Sequence, residues 1–249
     1  MKKIKYLYTN DDHKWAVIAK DPEKASYLID TNEYAIFKSG KLMLLDPGGM
    51  EVFPPVLSAI ATEVDPRNID YIFASHQDPD IVSSLALWLE INPSIKCYTS
   101  YVWSGFLPHY GGDEKTFVSL PDDGGSPIHF EGLELKFIPA HYLHSSGNFH
   151  LYDPEAKILF SGDIGAALLP KEFPLDQMFV EDFENHIQYM EGFHRRWMPS
   201  NQAKNRWCER VSKLDIQMMC PQHGLIFQGD HVKQFIDWFS NLEVGLTKE

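Results

Sequence analysis

Four times along this chain an apolar run rich in β-branched and aromatic residues breaks off at a histidine or an aspartate. YIFA at 71–74 gives way to His76, the stretch 133–138 to AHYLHSSGNF with His144, KILFSG to Asp163, and MMCP to His223. Short runs of this kind, bounded by turn signals, read as strands. Helical periodicity fills the intervals: 52–63, 81–90, 101–110, two long stretches within 180–214, and 230–242, where Val232, Phe235, Ile236 and Phe239 share one side. A hairpin is expected over 33–46, turning at Ser39 and Gly40, and a strand pair at 148–152 and 157–161, turning at Asp153-Pro154. Further strands are expected at 95–99 and 216–220, and a loop at 111–127, which holds four glycines and two prolines. Hairpins first, then alternating strands and helices, suit an α/β layout of two packed sheets with helices outside.

At 249 residues the chain is long enough for one sizeable core, and it carries 22 Lys and Arg against 35 Asp and Glu, a formal charge of −13. That field repels nucleic acid and anionic lipid, so neither is an expected partner. Three cysteines, an odd number without a C-x-x-C pair, point to a reduced, cytoplasmic chain rather than a disulfide scaffold. The start, MKKIKYLY, lacks the apolar stretch of a signal peptide, and no segment has the roughly 18 apolar residues that a bilayer span needs.

The densest chemistry lies in His76-Gln77-Asp78-Pro79-Asp80. In an extended loop, residues two apart project to the same side, so His76, Asp78 and Asp80 could face one pocket. The same letters also suit a turn whose aspartates cap the helix near Ile81. Recurrence weighs against capping alone, because His144, Asp163 and His223 arrive in the same setting, each just past an apolar run. Three carboxylates and three imidazoles are costly to bury unless cations neutralise them, and two divalent ions nearly balance three negative charges.

The series H-x-D-x-D, H-x-x-G-N, S-G-D and P-x-H-G resembles the metal-binding loops of the metallo-β-lactamase superfamily, and Asp46 in LLDPGG matches its early Asp loop. A carboxylate at position 78, with His144 68 residues after His76, Asp163 19 further on and His223 another 60, resembles the flavodiiron branch. The likeness runs from SYLIDTNEY to the final helix after HGLIF. It implies one αββα domain over 1–249, with His76, Asp78 and His144 on one iron, Asp80 and His223 on the other, and Asp163 bridging. Two departures stand out. The branch has Glu where this chain has Asp78, which shortens the reach by about 1.5 Å. It also has histidine where this chain has Ile81, which opens coordination positions on the second iron. His141 could fill that vacancy, although a role orienting a ligand or donating to bound oxygen suits it better.

Only 26 residues follow His223 and no phosphate-cradling loop is evident, so a flavodoxin domain and its FMN are not expected. The chain is therefore similar to the stand-alone oxygen-binding di-iron proteins, an offshoot linked with oxygen sensing and chemotaxis signalling. That resemblance implies a two-iron centre, a peroxo-diferric adduct with O2, a signalling partner and a possible homodimer. Three alternatives stay open: an O2 or NO reductase fed by a separate flavoprotein or rubredoxin, a zinc hydrolase, and an interaction module with structural metals. Glu191-Gly192-Phe193-His194 is a lone E-x-x-H on a Glu- and Arg-rich helix, so a solvated face is expected there rather than half of a helical-bundle di-iron site. His109, His129, His150, His186 and His231 show no partner pattern.

Overall fold

The computed structural model describes residues 3–19 and 28–246; Met1 and Lys2 of the lysine-rich start, and Ser26 and Tyr27 of SYLIDTNEY, lie outside them. The chain divides into two compact units, one of residues 1–125 with 129–133, the other of 126–128 with 134–249.

The first unit is built on a seven-stranded sheet in chain order, β1 (Lys3–Asn10), β2 (His13–Ala19), β3 (Glu33–Lys38), β4 (Lys41–Leu45), β5 (Ile69–Phe73), β6 (Lys96–Ser100) and β7 (Phe117–Leu120). Strands β1 to β4 run antiparallel; β4 to β7 are parallel. The β3–β4 hairpin turns where predicted, with Ser39 and Gly40 both at positive φ (52° and 76°). Two such residues match the right-handed twist of the flanking strands. Parallel neighbours require crossovers, and these supply α1 (Phe53–Ile60), then α2 (Pro79–Val82) and α3 (Leu85–Ile91), then α4 (Tyr101–Ser104).

Several expected boundaries change. The helix predicted over 81–90 is two helices, because the Ser84 backbone N–H donates to the Gly48 carbonyl (3.2 Å) instead of to the carbonyl one turn back. The stretch 101–110 breaks at Gly105 and resumes as a 3-10 turn, Leu107–Tyr110. The loop predicted over 111–127 contains β7, which finds an edge partner in β6. The β1–β2 hairpin is an addition, since KIKYLYTN alternates but is too charged to stand out as an apolar run. A core that includes Ile18, Phe37, Leu44, Val56, Ile72 and Trp88 fills this unit, and Ile81 is fully buried within it. Burying each such side chain contributes about 1.5–3 kcal/mol.

The second sheet has six strands in the order β13-β12-β11-β10-β9-β8, from β8 (Ile128–Phe130), β9 (Leu133–Pro139), β10 (Phe149–Asp153), β11 (Ile158–Gly162), β12 (Met218–Pro221) and β13 (Phe227–Gln228), and β10 to β13 lie wholly in the second unit. The pairings among β9 to β13 are antiparallel except β11–β12, which is parallel. Its connection holds the two helices expected there, α5 (Phe183–Trp197) and α6 (Asn201–Val211). Asp182 and Ser200 begin them, each side chain accepting the backbone N–H three residues on (3.1 Å). The last helix, α7 (Asp230–Asn241), buries Val232, Phe235 and Phe239 in a cluster with Met190 and Trp207.

Cys97, Cys208 and Cys220 are all free thiols buried in strands or a helix. Burial raises the pKa of each, that of Cys208 to about 12. No helix among the described residues is long and apolar enough to cross a membrane.

Candidate metal centre

The candidate donors other than Asp80 sit in loops just beyond strands, where side chains leave the sheet and reach open space. In the first unit β5 ends at Phe73 and His76 follows within three residues, fully buried. Its orientation is set by a relay that starts at Asp46, just past β4. The Asp46 carboxylate accepts the Ser75 backbone N–H (2.7 Å) and the Ser75 hydroxyl (2.6 Å). The Ser75 oxygen in turn stands 2.9 Å from His76 Nδ1. Because the hydroxyl proton is committed to Asp46, the serine oxygen accepts from Nδ1–H, which puts the imidazole lone pair on Nε2. That is the tautomer a metal ligand needs, and a carboxylate behind the ring raises its basicity.

Asp78 occupies the N-cap position of α2, yet its side chain makes no capping bond. Gln77 Nε2 donates to its Oδ1 (3.0 Å), and its Oδ2 lies 3.7 Å from His76 Nε2. The turn-and-cap account thus explains where the backbone goes but not where this carboxylate points. Asp80 is partly buried in the first turn of the same helix. Ile81, expected to mark an open coordination position, belongs to the apolar core, and its carbonyl accepts from Gly48 N–H (2.9 Å).

In the second unit Asp163 follows β11 and meets two histidines at once. His144 Nε2 is 2.9 Å from Oδ2, and His223 Nε2 is 3.4 Å from Oδ1. Two ligand atoms that share an ion at about 2.1 Å each stand about 3 Å apart at right angles, and somewhat more at a tetrahedral angle. One carboxylate therefore offers a separate oxygen to each of two imidazoles, at spacings that suit an ion on either side. Within each unit, carboxylate and imidazole donors thus stand together, His76 with Asp78 in the first and His144 and His223 with Asp163 in the second. The imidazole and carboxylate donors fit a divalent iron, manganese or zinc ion.

The loops are tightly held. Asn148 Nδ2 donates to the Leu143 carbonyl, and Tyr142 N–H to the Ser145 carbonyl (2.7 Å), closing the His144 loop on itself. Ala167 N–H donates to the His223 carbonyl (3.1 Å), and Gly224, at φ +87°, permits that approach, since a Cβ there would stand 2.6 Å from Ala167 Cβ. His141 is half-buried with its ring edge-on to Phe149, 4.9 Å between centroids.

One residue was misjudged from sequence. His194 is not on a solvated face but fully buried, ringed by Phe235, Trp238 and Phe239. Burial lowers its pKa to about 4, so it is neutral. Its place is legible only in hindsight, as the residue four after Met190 on the buried stripe of α5. His186, three residues into the same helix, is buried likewise, and its pKa is also lowered to about 4 by desolvation. His150 accepts the Trp207 indole N–H at Nδ1 (3.1 Å).

This architecture is the metallo-β-lactamase-like α/β fold, its donors carried on loops beyond strands. The chain belongs to the ODP family beta lactamases, whose pattern it matches over residues 29–224. It is 41% identical to the chemotaxis sensor ODP from T. denticola, with a TM-score of 0.87 over 98% of this chain and 96% of that one; that sensor has been solved in an apo state, and a chemotaxis sensor ODP as a peroxy di-iron species at the same level of likeness. It is 26% identical over 205 residues to the flavo-diiron protein FprA2 of Clostridium acetobutylicum, covering 82% of this chain and 50% of that protein. A flavo di-iron protein of Thermotoga maritima, 22% identical, shares the fold with a TM-score of 0.81 over 96% of this chain and 61% of its own. The chain spans about half the length of such curated relatives.

Proposed function

We propose that this chain is a di-iron protein that binds dioxygen and signals its presence, with residues 1–249 acting as one di-iron domain. The observation that carries the two-metal reading is Asp163, whose two oxygens face different imidazoles. On this reading His76, Asp78 and His144 hold one ion, Asp80 and His223 the other, and Asp163 bridges them. The 41% identity to a chemotaxis sensor over nearly the full length of both chains supports dioxygen as the ligand and a signalling protein as the downstream partner. Held by these residues, a pair of ferrous ions would supply one electron each to dioxygen. The protein's part is to hold the donors in register: the Asp46–Ser75 relay keeps His76 Nε2 unprotonated, and the Asp163 loop keeps both carboxylate oxygens available. Carboxylate donors favour iron or manganese over the histidine-rich environment of hydrolytic zinc.

The test is anaerobic loading with ferrous iron, metal analysis, then aeration while the visible spectrum is recorded. Two irons per chain and a new visible band after a single stoichiometric uptake of oxygen are expected. A lone zinc, or two irons that stay colourless in air, overturns the proposal. Continuous consumption of O2 or NO with a supplied flavoprotein or rubredoxin would instead make the chain a reductase.

A further inference from the structure

The last turn of α5 meets the loop after Asp163 at Gly165 and the His144 ring at Trp197. Behind Asp163, the Gly165 backbone N–H donates to His194 Nε2 (3.0 Å), while His194 Nδ1 lies 2.9 Å from the Met190 carbonyl. Those two bonds leave one arrangement: Nδ1–H donates to the carbonyl one turn back in the helix, and the Nε2 lone pair receives Gly165. Three residues further along the same face, Trp197 stands edge-on to the His144 ring, centroids 5.3 Å apart, and stacks on Phe193 at 5.5 Å. Trp197 is half exposed, whereas His194 has no exposure at all.

A histidine is an expensive way to fill an apolar core when phenylalanine is available, because each ring nitrogen needs a partner once water is gone. Here both nitrogens are used, one on the helix and one on the loop that carries the carboxylate. Gly165 is at φ +93°, and a Cβ there would stand 2.9 Å from Met219 Cε, so this loop runs close against β12 and cannot easily shift to find another acceptor. We infer that His194 is a positioning residue for the metal centre: through Gly165 it fixes the loop that aims Asp163, while Trp197 braces the partner imidazole of His144. This inference deepens the proposed di-iron reading and rests on it for the metal, but the bond it invokes is testable without one.

Two near-isosteres separate the two ring nitrogens. His194→Gln keeps an acceptor near the Nε2 position, able to receive Gly165 N–H; His194→Asn keeps a group near Nδ1 and loses that reach. In metal-free protein, amide hydrogen exchange at Gly165 is expected to quicken at least tenfold in His194→Asn and to stay within threefold of the parent in His194→Gln. After metal loading, His194→Asn should bind the second equivalent at least tenfold more weakly and shift the visible band, with His194→Gln again close to the parent. Trp197→Ala should shift the band without changing Gly165 exchange. Equal exchange at Gly165 in both histidine variants, or equal metal binding and spectra despite a difference in exchange, overturns the positioning role and leaves His194 as packing. If the parent itself takes up only one ion, the di-iron reading fails while the exchange result still decides the Gly165 bond.

Discussion

Replacing Ser75 by alanine deletes one oxygen and leaves the backbone bond from Ser75 N–H to Asp46 in place. That oxygen does two things: it donates to the buried Asp46 carboxylate and accepts from His76 Nδ1. Losing a hydrogen bond to a buried charged group costs about 1.5–3 kcal/mol, and the abandoned Nδ1–H adds to it. The metal-free variant should therefore unfold with about 2–4 kcal/mol less stability in urea. The more specific effect is on the ring. Without an acceptor at Nδ1, the proton has less reason to stay there, and Nε2 competes for it. Removing the group behind a metal-ligating histidine typically weakens binding 10–100-fold, or about 1.4–2.7 kcal/mol. Competition with a chromophoric chelator measures that affinity directly. Ser75→Thr, which restores the hydroxyl, should recover most of it. If Ser75→Ala loses stability yet binds metal within twofold of the parent, the Asp46–Ser75 pair only braces the fold and the tautomer argument is wrong.

The remaining predictions concern pH and the His223 loop. His186 and His194 are both held near pKa 4 by burial, below the ordinary 6.5, so the unfolded chain takes up protons that the folded one refuses. Stability should be unaffected by these groups above pH 6.5, decline as pH falls from 6.5 toward 4, and lose roughly 3 kcal/mol per histidine by the lower limit. Urea midpoints of the metal-free protein across that window check this, and His186→Asn should flatten the decline by about half. Gly224→Ala forces a side chain into positive φ and against Ala167; a loss of at least 1–2 kcal/mol in stability is expected, together with weaker uptake of the ion assigned to His223. Unchanged thermal stability would mean that the 223–224 turn relaxes at no cost.

The sequence makes the strand ends legible because the apolar runs stop abruptly, and those stops coincide with His76, Asp163 and His223 almost to the residue. It also makes the long helices legible, since α5 and α6 carry a side-chain cap and all three, with α7, a periodic apolar face. What it hides are the short pieces. The break between α2 and α3 depends on the Ser84 N–H reaching the Gly48 carbonyl 36 residues away, a tertiary fact with no local signature. Strand β7 needs an edge already made by β6, and the Lys-rich β1 is held by its pairing with β2. Among site residues, the Asp46 loop stood out as a motif, but its reach to Ser75 did not. His194 was hidden because Glu191, Arg195 and Arg196 around it are charged, and only the three-dimensional placement of α7 reveals that its side of the helix is dry.

The three sealed thiols bear on how a protein with the proposed role would survive dioxygen. Sulfur is attacked by oxidants chiefly as thiolate, and at ordinary pH Cys97, Cys208 and Cys220 are protonated and shielded from solvent. Repeated cycles of air and reductant should then leave no sulfenic or sulfinic adducts on these residues and no cross-linked chains. Optical changes seen during such cycles can be read without a cysteine background, and the protein can be handled free of added thiols that would themselves compete for iron.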